Sequence, residues 1–143
     1  MILVSDLLKN KGCDIWFLLP DATVYEAIDL MAQKGVGALL VMEGERLVGI
    51  VSERDYARKV ILKGRGSREV LVREIMSHPV LCIHPDSTIE QTMALMTENH
   101  VRHLPVVVGE KVLGVISIGD VVRSIIEDKE FEIQQLTNYI TSS

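Results

Sequence analysis

The stretch from Pro20 to Ile61 returns without a gap as Pro85 to Ile126, at a constant offset of 65 residues, so the chain folds as a duplication. The copies share apolar positions such as Leu30/Leu95, Met31/Met96, Leu39/Leu104 and Val41/Val106. They also share Pro20/Pro85, Thr23/Thr88, Gly44/Gly109, Gly49/Gly114, Ser52/Ser117, Asp55/Asp120 and Arg58/Arg123. Packing constrains volume and period only, so identical Gly, Ser and Asp at fixed spacing point to a further requirement. The 143 residues are 48% apolar, enough for one compact molecule, whereas a copy of about 60 residues would be marginal alone. The two copies are therefore expected to pack on each other.

Each copy reads as a short strand, a helix, two strands joined by a tight turn, and a second helix. The first helix opens on T-x-x-[EQ], Thr23 with Glu26 and Thr88 with Gln91, which predicts a capping box in both copies. Val24, Ala27, Ile28 and Met31, and likewise Ile89, Met93 and Met96, fall on one helical face. Ala38 to Met42 and Leu47 to Val51 flank Gly44-Glu45, and Leu104 to Val108 and Val112 to Ile116 flank Gly109-Glu110, which predicts a hairpin in each copy. The predicted fold is α/β of the α+β kind, two β-α-β-β-α units related by a pseudo-two-fold axis. Residues 1–66 form the first copy, 67–128 the second, and 129–143 a terminal helix with Ile133, Leu136 and Ile140 at helical spacing. Val4 to Leu8 is echoed by Val72 to Met76 at an offset three residues larger, which puts an insertion in the first copy near Asn10 to Gly12.

The net charge of −5 argues against a general binder of nucleic acid or anionic membrane, since such proteins need a basic surface. The apolar runs are too short to span a bilayer, and the opening residues lack the pattern of a signal peptide, which predicts a cytoplasmic protein. Cys13 and Cys82 have no metal-binding or disulfide spacing and are expected as two buried, reduced thiols.

The sharpest local signal is Gly49-Ile50-Val51-Ser52-Glu53-Arg54-Asp55, with its copy Gly114-Val115-Ile116-Ser117-Ile118-Gly119-Asp120. Each is a strand running into Ser-x-x-Asp at a helix start. One reading is a plain helix cap, with the hydroxyl accepting a backbone N–H and the acid favouring the positive helix end. The other is a ligand site, in which hydroxyl and free N–H groups hold a phosphate while the carboxylate accepts from ribose hydroxyls. Both readings can hold for one residue. Val101-Arg102-His103-Leu104-Pro105-Val106 adds a basic pair at a strand start, whereas the first copy has Val36-Gly37-Ala38 there, so the two potential sites are unequal. Arg54 and Arg58 can supply the charge that the first copy lacks.

Two β-α-β-β-α units, each with such a strand start and a G-h-h-S-x-x-D motif, resemble cystathionine β-synthase (CBS) domains in tandem, a Bateman module. The likeness covers nearly the whole chain. It is closest to stand-alone bacterial proteins through Met93 to Glu98, Val101 to Val106, Ser117 to Asp120 and Glu130 to Ile140. The resemblance implies adenosine ligands in clefts between the units. Ser117 would meet phosphate and Asp120 ribose at one site, beside Ile116 and Gly119, and Ser52 and Asp55 would do so at the other, beside Val51 and Arg54. The base would lie against the opposite unit: Gly12, Cys13, Asp14, Val36, Gly37 and Ala38 for the Asp120 site, and Ser77, Val80, Val101 and Arg102 for the Asp55 site. Arg102, with His103 beside it, can serve either cleft.

AMP or NAD is the expected ligand, with ATP or ADP next, and a homodimer acting on an unidentified regulated protein is the expected context. No cofactor is required and no catalysis is expected, because His78, His84, His100 and His103 are scattered and read as surface or capping residues. The alternative is a scaffold module that binds nothing. It shares the core and caps and differs only in its clefts.

Overall fold

The computed structural model describes residues 1–142. The first copy contains helix α1 (Val4–Lys11), strand β1 (Phe17–Leu18), α2 (Val24–Lys34), β2 (Ala38–Glu43), β3 (Arg46–Ser52) and α3 (Glu53–Tyr56), which runs on as a π-helical turn, Ala57–Ile61. The second contains α4 (Val72–Ile75), α5 (Ile89–Asn99), β4 (His103–Val108), β5 (Lys111–Ser117) and α6 (Ile118–Ser142). Strand order in the first sheet is β1-β2-β3, with β1 parallel to β2 and the β2–β3 hairpin antiparallel. The second sheet is the β4–β5 hairpin, and the expected short strand before it shrinks to one parallel bridge between Ile83 and Val106.

The hairpins turn on Gly44 and Gly109, each at φ +60°, a left-handed conformation that costs glycine little. Both carry the same register shift, after Val41 and after Val106, so the duplication extends to the irregularities. Thr88 and Gln91 form the complete capping box on α5, whereas at α2 only its Thr23 half forms, accepting from the Glu26 N–H at 3.1 Å.

The copies interleave. One core joins Val24, Ala27 and Met31 of α2 to Leu39, Val41 and Val51 of the first sheet and to Val60, and is completed by Val70, Val72 and Ile75 around α4. The other joins Ile89 and Met96 of α5 to Leu104, Val106, Ile116 and Val121, and is completed by Val4, Leu7 and Leu8 of α1. Each leading segment thus belongs to the opposite core. Backbone bonds fix the exchange: Val4 N–H donates to the Ser87 carbonyl at 2.8 Å, and Val72 N–H to the Ala22 carbonyl at 2.8 Å.

The glycine of each G-h-h-S-x-x-D motif makes this exchange possible. A Cβ at Gly114 would stand 2.9 Å from Leu8 Cδ2, and one at Gly49 would stand 2.9 Å from Met76 Cγ, so the bare backbone admits the leading segment of the other copy. The tail is no separate helix, since α6 continues unbroken through it. Val122, Ile126, Phe131, Ile133 and Leu136 are exposed along α6. No helix among the described residues is long and apolar enough to cross a membrane. The expectation of two buried thiols is corrected: Cys13 is exposed, because it follows the exposed end of α1, and Cys82 is half-buried, which pushes its thiol pKa up.

Candidate functional site

The Ser-x-x-Asp segments form reciprocal caps. Ser52 N–H donates to Asp55 Oδ2 at 2.9 Å while Asp55 N–H donates to Ser52 Oγ at 3.3 Å. In the second copy the matching distances are 2.8 Å and 3.2 Å. The strands hold these motifs at the seam between units. Ala38 lies opposite Ser52 and His103 opposite Ser117 in the two hairpins, so each strand start is beside its own copy's motif. Glu53 N–H donates to the Gly37 carbonyl, and Ile118 N–H to the Arg102 carbonyl, closing the same backbone link in both copies.

Around Asp55 the seam opens into a cavity of about 610 Å³, lined by residues of both copies. Its polar side carries Ser52, Asp55, Arg54, Arg58, Lys59 and Arg102, and its apolar wall is Ile50, Pro79, Val80, Leu81 and Val101. Ser77 is anchored there by two backbone bonds to Ile50, at 2.8 and 3.1 Å. Arg54 Nη1 crosses the seam to the His100 carbonyl at 3.2 Å. Lys59, on the π-helical turn, reaches Asp55 Oδ1 at 3.1 Å and donates to the Ile75 carbonyl at 2.8 Å. Cationic groups, a carboxylate, a hydroxyl and an apolar wall therefore share one hollow. That combination suits an amphipathic anion with hydroxyl donors.

The Asp120 carboxylate is bonded from both copies. Lys11 Nζ, from the end of α1, donates to Asp120 Oδ2 and to the Val115 carbonyl, each at 2.5 Å, and Arg123 Nη2 donates to Asp120 Oδ1 at 2.8 Å. Burial pushes the Asp120 pKa up, but the bonds from Lys11 and the Ser117 N–H outweigh it and hold the group below its ordinary value. His103 sits against Gly37, with Cε1 and Nε2 each 3.4 Å from where a Cβ would project. Burial, helped by the charges of Lys11 and Arg102 and opposed by Asp120, lowers the His103 pKa. Alone among the four histidines it is neither a cap nor a surface residue, because its strand start is pressed against the other copy.

Of the residues expected at the Asp55 site, Ser52, Arg54, Asp55, Ser77, Val80, Val101 and Arg102 line one cavity. Val51 does not. It is buried in the first core and its neighbour Ile50 faces the hollow, since side chains alternate along a strand. Gly37 and Ala38, expected beside Asp120, line the Asp55 cavity together with His103. On the Asp120 side, Ser117 and Asp120 are joined, Gly119 is exposed in the first turn of α6, and Ile116 is buried in the second core. The Cys13 backbone passes beside Gly114, Gly12 and Asp14 are exposed, and Val36 packs on the first core.

Lys11, Lys59, Pro79, Leu81 and His100 were not among the expected site residues. The insertion near Gly12 was the only signal for Lys11. Arg102 lines the Asp55 cavity and also a smaller adjoining hollow with Met96 and Ile118. No group of three or more His, Cys, Asp or Glu side chains arranged to hold a metal ion occurs among the described residues.

The CBS-domain family model matches residues 4–62 and 72–127. The mitochondrial CBS domain-containing protein CBSX3 of Arabidopsis thaliana is 40% identical over 96% of this chain and 71% of its own length. A structure described as a putative signal-transduction protein with CBS domains, from Burkholderia ambifaria, superposes with a TM-score of 0.85. It is 49% identical and covers 88% of this chain and 95% of its own. A hexameric CBS-CP12 protein from bloom-forming cyanobacteria superposes with a TM-score of 0.76 at 28% identity, covering 85% of this chain and 70% of its own.

Proposed function

The chain belongs to the CBS-domain family and carries two copies of the domain, and from this we propose that it is a regulatory sensor of adenine nucleotides. Proteins built on CBS domains generally work as regulatory or sensor modules that bind adenosine ligands. The observation that carries the reading here is the cavity at the seam, into which both copies send residues. Its volume lies within the range of about 300–1,000 Å³ usual for small-molecule sites.

In this reading Asp55 accepts from the ribose hydroxyls, while Ser52 with Arg54, Arg58 and Arg102 meets the phosphate. Val80, Leu81 and Val101 then face the base. AMP or NAD is the preferred ligand, and ATP or ADP the next. The ligand ties β3 of one copy to the β4 start and the Ser77 segment of the other. It therefore favours whichever angle between the copies brings those walls together, and its effect on a regulated partner protein requires different affinities for two such angles. The module works in this proposal as a homodimer in the cytoplasm, and the exposed apolar residues of α6 support self-association.

Isothermal titration with AMP, NAD and ATP, paired with thermal unfolding, tests the proposal. A ligand that binds only the folded chain adds about 2.7 kcal/mol of stability at one hundred times its Kd. Asp55→Ala is expected to weaken that binding at least tenfold. Absence of heat and of thermal shift with every adenosine compound at millimolar concentration would sink the sensor reading and leave a scaffold, whereas turnover of nucleotide would point to an enzyme.

A further inference from the structure

The three extra residues near Asn10 to Gly12 have no part in the sensor reading given above. In the fold they lengthen a helix: α1 has eight residues where its echo α4 has four, and the extension ends on Lys11. From there the ammonium crosses the seam to Asp120 Oδ2 and the Val115 carbonyl. Asp120 is only 8% exposed, and its carboxylate is fully engaged, Oδ2 by Lys11 and the Ser117 N–H, Oδ1 by Arg123. Lying in the insertion, Lys11 has no counterpart in the second copy. Asp55 has a single cation, Lys59 of its own copy at 3.1 Å, where Asp120 has two, Lys11 at 2.5 Å and Arg123 at 2.8 Å, and Asp55 borders the open cavity.

We infer that Lys11 is a gate on the second cleft, a tethered cation holding the acceptor that a ribose diol would need, so that the Asp55 cleft fills first and the Asp120 cleft only when Lys11 lets go. The inference rests on the sensor reading and deepens it. Hydrogen bonds between charged groups are roughly twice as strong as neutral ones, so the hydroxyls of a ribose meet a stronger competitor at Asp120, held by two cations at 2.5 and 2.8 Å, than at Asp55, where Lys59 stands at 3.1 Å. Release does not require α1 to leave its core. Val4, Leu7 and Leu8 hold the first turns, whereas Lys11 is the last helical residue, its side chain is 37% exposed, and Gly12 follows it. Arg123 stays with Asp120 when Lys11 withdraws, so the freed carboxylate keeps a counter-charge.

The test is titration of the full chain with AMP and, separately, with NAD, on wild type, Lys11→Ala, Lys11→Gln, Lys9→Ala, Asp55→Asn and Asp120→Asn, with a urea melt on each variant to confirm folding. Wild type is expected to show one site per chain, or a second at least tenfold weaker. Asp55→Asn should abolish the tight site and Asp120→Asn should spare it. Lys11→Ala and Lys11→Gln should create or strengthen the second site at least tenfold, Asp120→Asn in the Lys11→Ala background should remove it, and Lys9→Ala should match wild type. Two equal sites in wild type would overturn the gate. So would a weaker second site in Lys11→Ala, which would make Lys11 a phosphate ligand. In both of those cases the Asp55 cleft still binds. Silence in every titration overturns the sensor reading and the gate together.

Discussion

His103 and Asp120 both belong to the second copy's side of the seam, and their ionisation should set the acid limit of the fold. The folded pKa of His103 is held below its ordinary value of 6.5, so the unfolded chain takes up that proton first as pH falls. Stability is then lost from about pH 6.5 downward until the folded pKa is reached. Asp120 is depressed below its ordinary 3.8, so its contribution is present above that value and disappears as pH falls through the lower folded pKa. Urea midpoints measured against pH should therefore decline in two stages. His103→Gln is expected to flatten the first stage and Asp120→Asn the second; a single stage, unchanged by His103→Gln, would contradict the burial assigned to His103. Asp120 was legible from the repeat of Ser-x-x-Asp alone. Its cationic partner was not, because Lys11 and Asp120 are joined only by the folding of α1 onto the second copy, and no local spacing encodes that approach.

At the level of elements, Gly49 and Gly114 are the same residue of the repeat under different neighbours. A methyl group at Gly49 would meet Met76 first at Sδ and then at Cγ and Cβ, so moving the sulfur alone does not relieve it, whereas at Gly114 the closest atom is the terminal methyl of Leu8, which can turn away. Gly49→Ala is accordingly expected to cost about 1–3 kcal/mol as overpacking, and Gly114→Ala less, with the difference read from urea denaturation at constant m-value. Equal losses would mean that the two helices dock alike. The hairpins, their turns and the helical faces were all legible, since period and turn chemistry are local properties. The last helix of each copy was legible only in type. In the first copy it narrows to α3 and a π-helical turn that brings Arg58 and Lys59 to the cavity, while in the second it extends into a 25-residue α6. Capping and apolar spacing mark where such a helix begins and which face it buries, but say little about how far it runs once it leaves the core.

For the whole molecule, α6 leaves Ile133 and Leu136 more than 60% exposed, on a face that the rest of the chain does not cover. Pairing through this helix is the simplest way for the proposed homodimer to shield them. Ile133→Glu with Leu136→Glu should shift sedimentation from dimer to monomer without changing the far-ultraviolet dichroism. A variant that stays dimeric would place the interface elsewhere, and a hexamer would match the assembly of the cyanobacterial relative. The interleaved cores also bear on how the chain comes into being. The first core is complete once Ile75 has been added, so it can close early during synthesis. Helix α1 is made before the rest of both copies, yet the surface that Val4, Leu7 and Leu8 cover does not exist until Val121 has been made. Of the helices among the described residues, the first to be made thus waits longest for its groove, and a ribosome that stalls midway leaves one finished half beside a greasy, unclaimed helix.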